Sequence, residues 1–369
     1  MQGQLSHHYS LVILPPFTWI ARMFGNGNRG VPLFFLISGF ILARPFAQHR
    51  LFGWPAPSLR KYFLRRITRL EPPYLLNLAA VAVGIALADH QTWSSILPHL
   101  AASAAYMHYF VYHQPSTINS VAWSLEIEVQ FYILAPFLSI VFAIGNVSLR
   151  RSLIVAAMVA LALVQIAAGL STFTLPGRAQ YFLAGLLLAD IFLVSMPRWK
   201  HDWRWDVVSL IGWPTVFLLG MRMEGLWLPF LALLLCVAAL RGVVMFDLLR
   251  NPLIAVTGGM SYTIYLWHAP VLTFVGRVLG RIPFFVPSNY ALMFAVQGIV
   301  KTAVVALVCL PLFILVERPC MDPKWPQNLA IRLRAALGRT ALVPTAIVSK
   351  LPDAALLTNP PKVAARRLL

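Results

Sequence analysis

At 369 residues, 59% of them hydrophobic and only 11% charged, with a mean hydropathy of +0.73, the chain sits far from the roughly 25% charged residues of an ordinary soluble domain and reads as an all-α polytopic membrane protein. Its net charge of +18 is of a size met in nucleic-acid-binding proteins. The basic residues, however, gather in short loops and in the C-terminal tail, as cytoplasmic segments do, so no nucleic-acid partner is expected and the lipid bilayer is the first partner. Cys236, Cys309 and Cys320 lie in or beside apolar runs without paired spacing, which argues against a disulfide framework and against a zinc site; no metal is expected.

In chain order, the first apolar run carries His7 and His8 and ends at Pro15 and Pro16. A span needs about 20 apolar residues, so this one is expected to be incomplete at its N-terminus, and no signal-peptide pattern is seen. A second span is predicted at 31–43, where Ser38 and Gly39 allow a neighbouring backbone to close in. The stretch 44–69 then holds Arg44, Arg50, Arg60, Lys61, Arg65, Arg66 and Arg69 without an acid, which marks it as cytoplasmic. A third span at 72–87, entered through a Pro72–Pro73 break, leads to an outer segment, 89–120, with His90, His99, His108 and His113 and no Lys or Arg. The fourth span is 121–137, and further spans are predicted at 152–170, 180–194, 207–221, 226–240, 253–279 and 290–316. The sum is about ten transmembrane helices in one bundle. Residues 1–320 form the membrane domain, and 321–369 form a basic, Pro-containing cytoplasmic tail, expected to be partly disordered.

Four clusters could carry chemistry. Within 121–137, VAWSLEIEVQFYILAPF, two carboxylates sit in an apolar run. An acid at membrane depth costs roughly 2.5–3.5 kcal/mol on insertion scales. At about 100° per residue Glu128 shares a face with Ser124 and Tyr132, while Glu126 shares another with Gln130, so only one acid points at a given site. His7 and His8 offer imidazoles suited to general-base work. Arg66 and Arg69, three apart on one helical face, could grip phosphates bidentately or anchor lipid headgroups. The segment SYTIYLWH at 261–268 contributes hydroxyls, aromatics and His268, and equally fits an interfacial aromatic belt. Packing roles for the acids and the histidines stay open at this point.

The runs LFFLISGF (33–40), RRITRLEPPY (65–74), WSLEIEVQFY (123–132), SYTIYLWH (261–268) and VERP (316–319), in this order, resemble the acyltransferase-3 family of integral membrane O-acyltransferases over about residues 5–320. The resemblance implies transfer of an acyl group, often acetyl, from acyl-CoA to hydroxyls of cell-surface or exported carbohydrates, in a multi-pass protein of the inner membrane. It places the family's catalytic first-span histidine on His7 or His8, the flanking pattern favouring His7. It matches the family's Arg-x-x-Arg, implicated in holding the donor, to Arg66 and Arg69. The family's regular glutamate falls on Glu128, and Glu126 stands where a small residue is usual. Ser38, Trp123, Ser124, Tyr132, Tyr265 and His268 are expected to line the site. Acyl-CoA, acetyl-CoA in the simplest case, is a co-substrate and not a bound cofactor, and the acceptor is a carbohydrate or glycolipid. The family's arginine about ten residues before the histidine has no counterpart after Met1. Two rival readings stand beside this one: a proton-coupled transporter or flippase of a lipid-linked sugar or organic ion using the same acids and histidines, and an inactive copy.

Overall fold

The computed structural model describes residues 23, 25–220, 223–279, 290–322 and 324–336, and among them all regular structure is helical. In order the helices are α1 Gly30–Phe52, α2 Leu59–Ala88, α3 Trp93–Ala104, α4 His108–Tyr112, α5 Trp123–Leu138, α6 Val147–Ala167, α7 Leu175–Asp190, α8 Arg204–Leu218, α9 Glu224–Arg241, α10 Val244–Leu249, α11 Pro252–Gly259, α12 Ser261–Leu279, α13 Tyr290–Leu312, α14 Arg318–Cys320 and α15 Trp325–Ala336. The chain divides into two compact units, 1–323 and 324–369; α15 belongs to the second, and all other helices to the first.

Seven helical stretches among the described residues are long and apolar enough to cross a membrane: 27–52, 59–88, 120–143, 147–167, 175–198, 224–241 and 296–320. The expected crossings at 207–221 and 253–279 are not among them. The first corresponds to α8, only 15 residues long. The second is interrupted between α11 and α12 at Met260, and the hydroxyls, Trp267 and His268 of α12 lower its hydropathy. The expected first crossing, with His7 and His8, lies outside the described residues.

Two helices run longer than their apolar runs. α1 continues past Pro45 until Gly53, which takes a left-handed conformation (φ 69°) and returns its amide to the His49 carbonyl. α2 starts at Ser58, whose side chain caps the Lys61 amide, and runs unbroken through Pro72 and Pro73. A proline pair removes two amide donors from the helix and was expected to break it. Around the prolines α2 is tied to α12: the Tyr262 hydroxyl donates to the Leu70 carbonyl at 2.9 Å, and Asn77 on α2 donates to the Leu266 carbonyl at 3.1 Å. Prolines inside a helix are tolerated at membrane depth where neighbouring helices pack against it.

The central pair is α1 and α7. From Gln180 to Asp190 every residue of α7 is buried, as befits a helix apolar all round. The two backbones meet through glycine: a methyl on Gly39 would collide with the Phe182 carbonyl, and one on Gly185 with the Leu36 carbonyl and the Phe40 amide. Around this contact α1, α5, α6, α7 and α9 form the larger apolar core, and α2, α3 and α12 form a smaller one. α5 belongs to both, giving Ile127, Phe131, Tyr132 and Ala135 to the first and Leu125, with the preceding Ala122, to the second. Several buried charges are paired. Asp190 takes Arg150 (2.5 Å) and Arg151 (2.5 Å), and Arg29 meets Glu224 (3.2 Å) and the carbonyls of Val216 and Leu219.

Candidate active site

Glu128 is the best-built of the predicted groups. It is buried on α5, and its Oε1 accepts the Ser38 hydroxyl of α1 at 2.6 Å. That distance is typical of a charge-assisted O–H···O⁻ bond. One turn further on, the Tyr132 side chain lies against the same carboxylate, and the Arg66 guanidinium of α2 adds a positive charge nearby. Arg66 donates to the Tyr62 carbonyl at 2.7 Å and stacks 3.6 Å over the Tyr62 ring and 5.5 Å from that of Tyr132. Tyr62 in turn donates to the Tyr132 carbonyl at 3.1 Å. Acid, hydroxyls and guanidinium therefore form one connected group from three helices.

One turn before Glu128, Ser124 meets Tyr265 of α12, hydroxyl to hydroxyl at 2.6 Å. Tyr265 donates its proton to the Val121 carbonyl (2.8 Å), so Ser124 is the donor to the tyrosine oxygen. The Tyr265 ring stacks on Phe34 (6.1 Å between centroids) and lies 5.7 Å from that of His268. His268 Nδ1 faces the carbonyls of Tyr265 (2.7 Å) and Ile264 (3.1 Å). Only a protonated Nδ1 satisfies both, and in the neutral ring this leaves the lone pair on Nε2. Trp123 packs edge-on against Phe35 and Phe173, at 6.1 and 5.0 Å. The structure thus brings Ser38, Ser124, Glu128, Tyr132 and Arg66 together, with Tyr265 and His268 beside them. It describes nothing of His7 and His8, which lie outside the described residues.

Glu126 has a different task. Its Oε2 accepts the Tyr109 amide at 3.0 Å, so it caps the first turn of α4 within segment 89–120. Beside that cap, His99 and His108 are joined ring to ring (2.9 Å), and His108 Nδ1 bonds the Gln114 carbonyl at 3.1 Å. Burial holds the His108 imidazole below its ordinary pKa.

Arg69 parts company with Arg66. Its half-exposed guanidinium lies 3.7 Å from Glu317, a fully buried acid at the end of the π-helical turn Phe313–Glu317 that follows α13. Glu317 and its partner Thr263 were not singled out from the sequence as site residues. The signal available was the acid in VERP, charged at the end of an apolar run. Glu71, bonded by the Tyr106 hydroxyl at 3.0 Å, was likewise missed. Tyr106 holds a left-handed backbone (φ 56°), unusual for a bulky residue, stacked on Tyr74 at 4.9 Å.

Comparison with known proteins follows the same residues. The acyltransferase domain that defines the acyltransferase-3 family matches residues 5–317. Among curated relatives, the peptidoglycan O-acetyltransferase OatA of Listeria monocytogenes is 26% identical over 306 residues, covering 71% of this chain and 47% of its own length. The O-acetyltransferase OatA of Staphylococcus aureus is 24% identical over 302 residues, 72% of this chain and 50% of its own. BcsY of Komagataeibacter xylinus, described as a putative membrane-bound transacylase, is 24% identical over 363 residues, 89% of this chain and 84% of its own. The chain spans about half the length of the OatA relatives it matches. No solved structure matches it. Carrying that domain over nearly all of its membrane unit, the chain belongs to the acyltransferase-3 family.

Proposed function

We propose that the chain is an inner-membrane O-acyltransferase that moves an acyl group, acetyl in the simplest case, from acyl-CoA to a hydroxyl of a cell-surface or exported carbohydrate. The observation that carries this reading is the buried Glu128 carboxylate, held by Ser38 and flanked by Tyr132 and Arg66 inside the family's acyltransferase domain. The names of the OatA relatives, one of them specifying peptidoglycan, support the carbohydrate acceptor.

In the reaction, the imidazole of His7 or His8 accepts the acceptor's hydroxyl proton as the oxygen attacks the thioester carbonyl. The new C–O bond forms, the C–S bond breaks, and the departing thiolate takes the proton from the imidazolium. Glu128 supplies the negative charge that steadies that imidazolium, in the division of labour between base and orienter met in other acyl-transfer enzymes. Arg69, with its outward N–H groups, and Arg66 hold the donor's phosphates. The arginines gather on the segment expected to face the cytoplasm, where acyl-CoA is found.

The test uses membranes containing the full-length protein, labelled acetyl-CoA and purified surface glycan. The expected product is a base-labile acetyl ester on the glycan, lost in Glu128→Ala. Labelling equal to that of membranes without the protein refutes the reading.

A further inference from the structure

Arg66 and Arg69 share a helical face, yet only Arg66 is held by its own helix, stacked over Tyr62 and bonded to that residue's carbonyl. Arg69 is steadied from elsewhere. Glu317 is fully buried, and both of its described hydrogen bonds fall on Oε2, from the Thr263 amide at 3.1 Å and the Thr263 hydroxyl at 2.5 Å. Its Oε1 accepts no hydrogen bond among the described residues, and the charge it faces is the Arg69 guanidinium, 3.7 Å away. A carboxylate pinned by two donors on one oxygen has a fixed direction for the other.

The chain spends a rare conformation on this arrangement. The π-helical turn Phe313–Glu317 adds a residue to the turn that ends α13, and one residue is about 100° of helix rotation. In this register Glu317 is buried and meets Thr263 at the start of α12. Three separate pieces of chain, α2, α12 and the end of α13, are thereby committed to one side chain that is itself half exposed. A guanidinium carries five N–H donors in a rigid fork, and a single carboxylate on one edge leaves the others free for an anion.

We propose that Glu317 is a positioning residue for the donor: fixed by Thr263, it sets the angle at which Arg69 presents its outward N–H groups to a phosphate of the acyl donor. This rests on the reading of Arg69 as a donor contact. The gain is pre-organisation, since a long side chain already held in place loses less freedom on binding.

Charge alone predicts a different outcome, because Glu317 repels an incoming phosphate. Glu317→Gln removes both the hold and the repulsion, so the variants that isolate aim are Glu317→Asp, which keeps the charge and withdraws it by one methylene, and Thr263→Val, which removes one of the two pinning bonds. In the full-length protein, each should raise the KM for acyl-CoA about two- to tenfold, leave kcat within about twofold, and add nothing in an Arg69→Ala background. Wild-type KM in folded Glu317→Asp and Thr263→Val, beside a raised KM in Arg69→Ala, overturns the proposal and leaves the donor reading standing. An unchanged KM in Arg69→Ala removes the donor reading and the proposal with it. A KM increase that persists at full size in the Arg69→Ala background shows Glu317 acting through packing and also overturns it. Should Glu317→Asp fail to fold, Thr263→Val decides alone.

Discussion

Glu126 and Glu128 are two residues apart on one helix, and replacing each in turn with glutamine separates a chemical carboxylate from a structural one. Glu128 accepts the Ser38 hydroxyl at 2.6 Å in a buried site. A hydrogen bond to a charged group is worth about 1.5–3 kcal/mol against about 1 for a neutral pair. Glutamine keeps an acceptor for Ser38 and loses the charged increment, about 1–2 kcal/mol, together with the negative charge available to an imidazolium. At about 1.4 kcal/mol per tenfold, kcat/KM should fall roughly 5- to 30-fold in Glu128→Gln. The fold should hold its melting temperature, because a neutral isostere escapes the desolvation cost of a buried acid. Glu126 caps α4 through the Tyr109 amide. Glu126→Gln should therefore cost about 1 kcal/mol of local stability and change transfer less than about threefold. The assay is acetyl-ester formation on surface glycan in cells lacking the native protein, paired with thermal unfolding of the detergent-purified variants. Equal activity losses in the two variants, or wild-type activity in Glu128→Gln, would refute the assignment of roles.

His7→Ala should abolish transfer, with a loss of about 10²–10⁴-fold, and His8→Ala should cost far less, since neighbours on a helix point about 100° apart; rates of glycan acetylation at matched expression decide between them, and the reverse order exchanges the roles. Gly185→Ala should destabilise the bundle by about 1–3 kcal/mol, because the new methyl meets the Leu36 carbonyl and the Phe40 amide, backbone atoms that cannot swing aside; a melting temperature equal to wild type counts against the α1–α7 contact. The depressed His108 pKa makes the fold bind fewer protons than the unfolded chain, so stability is full above about pH 6.5 and declines as pH falls through that value, levelling off below the folded pKa. Melting curves between about pH 7.5 and 5 should show that decline in the wild type and a flatter profile in His108→Gln. For sidedness, an impermeant thiol reagent on intact cells should label a cysteine at the exposed His113 and spare one at the exposed Arg60; Ser116 is unsuitable, being buried and bonded to Ser103 at 2.6 Å.

Helical periodicity alone separated Glu128 from Glu126 and put Ser124 and Tyr132 on the face of Glu128, because residues four apart on one helix are neighbours whatever surrounds them. Contacts between helices were closed to that logic. Nothing local links Ser38 to Glu128 or Ser124 to Tyr265, and Glu317 reaches Arg69 only after a change of helix register that composition does not announce. The proline pair misled for the same reason: local rules break α2 at Pro72, and the helix that runs on through it is packed and hydrogen-bonded to α12, a neighbour distant in sequence. Charge bias marked 89–120 as a loop free of Lys and Arg, while the pairing of His99 with His108 and the cap by Glu126 depend on how that loop folds back. The spans read from hydropathy reappear as long apolar helices where the sequence is uniformly apolar, while α8, at 15 residues, and α12, with its polar start, fall outside that set.

Because α5 gives one end to each apolar core, it is a wall common to two rooms, and Glu128 stands one turn from the doorway made by Ser124 and Tyr265. A molecule that pushes α12 away from α5 on one side tilts the wall that the other side leans on. Were two ligands to bind on its two sides, thermodynamic reciprocity would make each alter the other's affinity by the same factor.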